Sequence, residues 1–190
     1  FDTAHGYMNC RNEEMLGGFF STLPRESFVL ATKVKPAGVD SRTGLPSKDT
    51  TAESFLAMFN LSLSRLKLDY VDILYMHSAD SVEMVRHRET VKAMLDLKKQ
   101  GRVRFIGIST HKNEPLVINT MVEDGIWDVV LTSYNYRQNY LAEINSAIAK
   151  AAAAGIGVVA MKTLAGGWLD RERTKPVNVQ AALKWVLSNP

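Results

Sequence analysis

The sequence predicts an α/β fold built from repeated strand–helix units, and three observations predict it. Short, β-rich, nearly unbroken apolar runs recur along the chain: FVLATKV (28–34), VDILYMH (71–77), VRFIGIS (103–109), DVVLTSYN (128–135) and IGVVAMKT (156–163). Runs of this kind suit strands of a parallel sheet covered on both faces. Segments with helical spacing lie between them. The strand ends recur at the spacing of one βα unit.

The stretch FDTAHGYMNC (1–10) reads as the tail of a strand running into a polar loop. A short helix over NEEMLGGFF follows, with Asn12 placed to cap it. TTAESFLAMFNLSLSRL puts Phe55, Met58, Phe59, Leu63 and Leu66 on one face, and Thr50 with Glu53 has the form of a capping box. ETVKAMLDLKKQG puts Val91, Met94, Leu95 and Lys98 on one side and stops at Gly101. LAEINSAIAKAAAAG is a strong helix former ending at Gly155, and VNVQAALKWVLSNP is a further helix.

Right-handed βα repeats leave two main architectures, a doubly wound sheet or a (β/α)8 barrel. No Gly-x-Gly-x-x-Gly follows a first strand, which weighs against a dinucleotide-binding doubly wound sheet. With FDTA the strands number six, against the eight strands and roughly 250 residues of a full barrel. The expectation is therefore a single partial barrel over residues 1–190, holding the second to seventh strands. Such a piece alone is expected to leave unpaired edges and to be unstable and inactive.

Composition bounds the function classes. The 190 residues are 46% hydrophobic and 23% charged, with a formal net charge of +3, and the charges are interspersed. No basic stripe points to nucleic acid. No apolar run is long enough to span a membrane. The single cysteine, Cys10, excludes an intrachain disulfide. No His-x-x-x-His or paired-Cys spacing points to a metal. A cytoplasmic location and a small-molecule substrate are expected.

Active sites of (β/α)8 barrels lie at the C-terminal ends of the strands. The polar residues that end the apolar runs are Asp2, Lys33, His77, Ser109 with Thr110, Asn135 and Lys162, and Tyr7 follows Asp2 in its loop. Asp, Tyr, Lys and His make a coherent proton-transfer unit. A carbonyl reduced by hydride transfer leaves an alkoxide that needs a proton. A free phenol, with a pKa of about 10, is a poor acid near neutrality. A lysine ammonium beside it favours the phenolate, an Asp holds the lysine in place, and a His orients the carbonyl oxygen. A lyase using Lys33 as a Schiff-base nucleophile stays open at this point.

These residues sit in segments that resemble the aldo-keto reductases: FDTAHGY, LATK, SLSRLKLDYVDILYMH (62–77), GRVRFIGIS and GIGVVAM, in that order. The resemblance runs over nearly the whole chain. It implies a (β/α)8 barrel, NAD(P)H-dependent reduction of an aldehyde or ketone, and a catalytic tetrad of Asp2, Tyr7, Lys33 and His77. It implies NADPH, with NADH as the alternative, contacted by Asp2, Ser109, Thr110, Met161, Lys162, Thr163 and Leu164. In this pattern Leu131 stands where many members have a Gln, and Met161-Lys162 replaces a Tyr-Ser pair. LAGGW (164–168) is placed to wrap a pyrophosphate, with Trp168 beside the pocket. The segments STH and MKTLAGG resemble a bacterial branch of the family. A non-catalytic NADP(H)-sensing subunit on the same fold is the competing reading.

Overall fold

The computed structural model describes residues 1–189. Five strands form one sheet in sequence order: β1 (Ala31–Val34), β2 (Val71–Met76), β3 (Val103–Thr110), β4 (Val129–Ser133) and β5 (Gly157–Met161). Every neighbouring pair is parallel. The sixth expected run is present, but only as an isolated parallel bridge from Asp2 to Ala31. Around that bridge the Thr3 N–H donates to the Ala31 carbonyl (2.9 Å) and the His5 N–H to the Lys33 carbonyl (2.9 Å). Residues 1–5 thus run alongside β1 as its outer neighbour. The architecture is a partial (β/α) barrel.

Helices α1 (Arg11–Phe20), α2 (Ala52–Leu66), the single turn α3 (Val82–Val85), α4 (Arg88–Lys99), α5 (Glu114–Asp124), α6 (Leu141–Ala153) and α7 (Val179–Leu187) complete the chain. In α2 the cap is one residue later than the expected box: Thr51, not Thr50, accepts from the Ser54 N–H at 3.2 Å. Thr50 instead accepts from the Ser47 N–H (3.1 Å), closing the preceding turn. Asn12 does not cap α1. It lies within the helix and its amide donates to Thr3 Oγ1 (2.7 Å), tying α1 to the first loop. The buried face of α4 is Thr90, Ala93, Met94 and Leu97, while Leu95 is exposed. Val91 is only partly buried against the core, so the buried face is rotated from the expected one. Helices α5 and α3 were not anticipated. In α5 the buried set Glu114, Val117, Ile118, Thr120 and Met121 mixes polar and apolar residues, which blurs its periodicity.

Side chains alternate across the strands. One face packs under the helices in a large core with Leu74, Met76, Ile106, Ile108 and Val130 at its centre. The other, inner face carries a smaller cluster of Ala31, Tyr75, Val129 and Leu131, flanked by Ile73 and Met161. On that inner face Phe105 and Val159 stay 44% and 43% exposed. At the N-terminal end of the sheet, buried Asp72 ties three elements together. It accepts from Arg25 (2.7 Å), Arg104 (2.9 Å) and the Leu30 N–H (2.8 Å). Burial alone would raise its pKa, but these hydrogen bonds hold it below the usual carboxylate value.

Gly107 marks the tightest point of the inner face. A Cβ there would lie 2.2 Å from the Val129 carbonyl oxygen and 3.0 Å from the Tyr75 ring. Neither the β4 backbone nor the buried ring has room to retreat. Gly107→Ala is therefore expected to destabilise the fold by about 1–3 kcal/mol. Urea unfolding would register this as a lower midpoint at an unchanged slope.

Candidate active site

The inner face and the loops after the strands bring the strand-end residues to one rim. Lys33, the third residue of β1, points inward and is only 2% exposed. Its ammonium is ion-paired with Asp2 and donates to the Thr3 carbonyl at 2.7 Å. An ammonium this buried stays in place only when partners satisfy it. The Asp2 side chain is half exposed, so the pair opens toward the cleft.

Tyr7 lies above this pair. Lys33 Nζ stands 4.9 Å from the centre of its ring, and the phenol ring is 40% exposed. After Tyr7 the chain turns sharply through Met8, Asn9 and Cys10, all left-handed (φ 51°, 52° and 71°). Hydrogen bonds from Arg11 N–H to the Met8 carbonyl (3.2 Å) and from Asn12 N–H to the Tyr7 carbonyl (3.3 Å) hold the turn. Left-handed residues other than glycine are uncommon and cluster where surrounding structure imposes them. Here the turn drops the chain from the rim into α1.

His77 follows β2 and meets Tyr7 edge to face, with ring centres 5.9 Å apart. Its N–H donates to the Val34 carbonyl at 2.9 Å, which extends the β1–β2 ladder to the rim. Burial, then the charge of Lys33, pushes the His77 pKa down to about 4. The imidazole is therefore neutral at pH 7. Tyr75, two residues earlier on the same face and paired in register with Lys33, is a second phenol beneath the site. Burial, and less strongly the charge of Asp2, push its pKa up, so it stays protonated.

Not every expected cofactor contact faces the cleft. Ser109 is on the inner face but fully buried, and its Oγ accepts from the Ser78 N–H at 3.0 Å. Thr110 is also fully buried and turns away. Its hydroxyl lies 3.0 Å from Asp80 Oδ1 and 2.8 Å from the Lys112 carbonyl. Asp80 also accepts from the His111 N–H (2.7 Å) and so pins the loop after β3 to the loop after β2. Met161 packs on the inner cluster beside Leu131. Lys162, Thr163 and Leu164 line an open cleft of about 800 Å³ together with Asn135, Arg137 and Ala165–Gly167. Trp168 is tied to Pro176 by an isolated antiparallel bridge.

A polar network behind the site escaped the strand-end reading. Glu13, fully buried on α1, accepts from Thr32 Oγ1 (2.7 Å), and its second oxygen is 3.6 Å from Arg65. Arg65 donates to the His5 carbonyl (3.3 Å), and the His5 ring meets Ser62 at 3.0 Å. Thr32 precedes Lys33 and His5 lies between Asp2 and Tyr7, so this network braces both segments that carry them. The only sequence signal was Glu13 on the otherwise apolar side of α1. Among the described residues, no group of three or more His, Cys, Asp or Glu side chains converges as a metal site would.

The fold agrees with known proteins. The model of the aldo/keto reductase family matches residues 1–188. The chain belongs to the aldo/keto reductase family. An L-galactose dehydrogenase of Arabidopsis thaliana is 34% identical over 180 residues, spanning 90% of this chain and 53% of the relative. A D-threo-aldose 1-dehydrogenase of a Pseudomonas species is 26% identical over 196 residues, spanning 92% and 58%. This aldo/keto reductase chain thus spans a little over half the length of these curated relatives. Among solved structures, an aldo-keto reductase of Bacillus halodurans in its holo form superposes with a TM-score of 0.71 at 26% identity, over 94% of this chain and 56% of that one. An aldo-keto reductase of Klebsiella pneumoniae, solved in complex with NADPH, gives 0.67 at 23% identity, over 90% and 55%. No helix is long and apolar enough to cross a membrane among the described residues.

The buried imidazoles make stability depend on pH. The pKa of His77 is lowered to about 4, and those of His5 and His111 are lowered too, each mainly by burial. Below the ordinary histidine value of about 6.5 the unfolded chain takes up protons that the folded chain refuses. The stability contributed by a neutral His77 is complete above that value and is lost as pH falls toward 4. The thermal midpoint should therefore drop between pH 7 and pH 5, and His77→Asn should flatten part of that slope. An unchanged slope in the variant would show that His77 does not carry the linkage.

Proposed function

We propose that the protein reduces an aldehyde or ketone to an alcohol by hydride transfer, with Tyr7 supplying the proton and NADPH the hydride. The observation that supports this most is the buried Lys33 ammonium, paired to Asp2 and 4.9 Å from the Tyr7 ring. That placement stabilises a phenolate as its proton leaves. Asp2 and the Thr3 carbonyl hold the ammonium in place, so its position is set before the reaction begins. His77, neutral at pH 7, is suited to donate a hydrogen bond to the carbonyl oxygen and not to compete with Tyr7 as the acid. The carbonyl oxygen then rests between Tyr7 and His77, with its carbon turned toward the cleft beyond β5. A lyase reading through Lys33 is less favoured, because a nucleophilic amine needs a free lone pair facing the substrate and here Nζ is engaged by Asp2 and the Thr3 carbonyl.

The residues present suit a dinucleotide with phosphates. Lys162 and Arg137 bring positive charge to the cleft after β5, and Gly166 and Gly167 (φ 93° and 82°) let its wall turn close to a ligand. Met161 at the end of β5 offers a polarisable side chain for a flat ring face. NADPH held there would supply the hydride. NADPH is also what the Klebsiella relative holds, which supports the choice of cofactor.

Tyr7→Phe in the full-length protein is expected to lower kcat by about 10²-fold or more, because the acid is gone. NADPH affinity, followed by quenching of protein fluorescence, should change less than about twofold. Wild-type-like turnover of an aldehyde panel by this variant would remove Tyr7 from the acid's role.

A further inference from the structure

Tyr7 is placed by its main chain more than by its side chain. Its ring is 40% exposed and meets the edge of His77 and the Lys33 ammonium. Residues 1–5 are held along β1, ending with the His5 N–H on the Lys33 carbonyl at 2.9 Å. Gly6 follows, and a Cβ there would meet nothing within 4 Å. Tyr7 therefore stands past the end of the ladder on an unpacked link. Beyond it come three left-handed residues, Met8, Asn9 and Cys10, none of them glycine. Such a turn persists only where its surroundings impose it.

Asn12 supplies that constraint. It is the second residue of α1, where a main-chain N–H has no partner inside the helix. That N–H donates instead to the Tyr7 carbonyl at 3.3 Å, while the Tyr7 N–H donates to the Ala4 carbonyl at 3.1 Å. The Asn12 side-chain amide donates at 2.7 Å to Oγ1 of Thr3, which is fully buried. The carbonyl of the same Thr3 accepts from Lys33 at 2.7 Å. One residue thus grips both ends of the stretch from Thr3 to Tyr7, with the lysine's partner at one end and the phenol at the other. Asparagine is a poor helix former, and here it caps nothing. Its use lies in the reach to Thr3.

We propose that Asn12 is a positioning residue that sets the place of the Tyr7 hydroxyl against Lys33 and His77 through its tie to Thr3. This rests on the carbonyl-reductase reading above. Without the side-chain tie, the start of α1 is free to shift away from β1. Tyr7 shifts with it, because the Asn12 N–H holds the Tyr7 carbonyl. The chemical step then slows, since proton delivery depends on a close, aligned approach to the carbonyl oxygen. Cofactor affinity, set in the cleft after β5, stays the same.

The test uses the full-length protein with NADPH and an aldehyde panel. It compares the wild type with Asn12→Ala, Thr3→Val, the double variant and Asn12→Asp. Thr3→Val keeps the branched shape that suits a strand and the carbonyl that Lys33 needs. Each of Asn12→Ala and Thr3→Val should lower kcat roughly tenfold, with KM for the aldehyde and NADPH affinity within about twofold of the wild type. The double variant should be no slower than Asn12→Ala, because both changes remove one tie. In Asn12→Asp the Thr3 hydroxyl can turn and donate to the new carboxylate, so most of kcat should return. Four results would each overturn the role of Asn12 and leave the carbonyl-reductase reading standing: a wild-type kcat in Thr3→Val, losses that multiply in the double variant, no recovery in Asn12→Asp, or a matching fall in NADPH affinity, the mark of a general loosening. Absence of any reduction by the wild type across the panel would instead remove both.

Discussion

A charged amine in a nearly closed interior is the constraint on which the site depends. Lys33 is 2% exposed and sits in the middle of a strand, where an apolar residue would be the ordinary choice. Taking an ammonium out of water costs several kcal/mol unless partners replace the lost hydration. Asp2 and the Thr3 carbonyl are those partners, and both belong to the segment that runs beside β1. The geometry of that segment is therefore fixed by the need to satisfy the lysine. Tyr7 rides on the same segment five residues on. Tyr7 and the Lys33 charge beside it are thus coupled through one short stretch of chain.

The second support lies outside the sheet. Glu13 and Arg65 form a buried polar layer between α1, α2 and the first loop. Gly17 lets those helices approach so closely that a Cβ there would lie 2.0 Å from the Arg65 carbonyl oxygen. The close crossing brings the Arg65 guanidinium within reach of His5 and Glu13. Lys33 is thus held directly by Asp2 and the Thr3 carbonyl, while the helix pair braces the neighbouring Thr32 and His5. At the opposite end of the sheet, Asp72 with Arg25 and Arg104 closes the strands without touching the rim. Stability and chemistry are separated along the strand axis, as (β/α) barrels permit.

The strands and their order were legible because parallel strands covered on both faces are written as apolar runs, and five such runs became β1 to β5. Lys33 and His77 were legible as polar residues closing two of those runs, Asp2 as the end of the short first segment, and Tyr7 only as a loop residue after it. Less legible were features that depend on which way a side chain turns. Ser109 and Thr110 are neighbours in sequence, yet one faces the inner side and the other joins Asp80 beneath a loop. Thr51 caps α2 in place of Thr50 because Thr50 is already engaged by Ser47. Helix α5 was hidden because buried Glu114 and Thr120 interrupt its apolar stripe; Glu114 is satisfied by the Tyr140 hydroxyl (2.9 Å), a partner 26 residues away.

By itself the sequence determined the βα repeat, the parallel sheet and the set of residue types at the rim. Those follow from hydrophobic periodicity and strand length, which are local properties of the chain. Only the tertiary structure decided that Asp2, Lys33, Tyr7 and His77 converge, that Thr110 does not, and that Asn12 reaches Thr3. Convergence depends on register and on the direction of each side chain. Both are set by long-range pairing and by the requirement that every buried charge find a partner, and neither can be read from neighbouring residues alone.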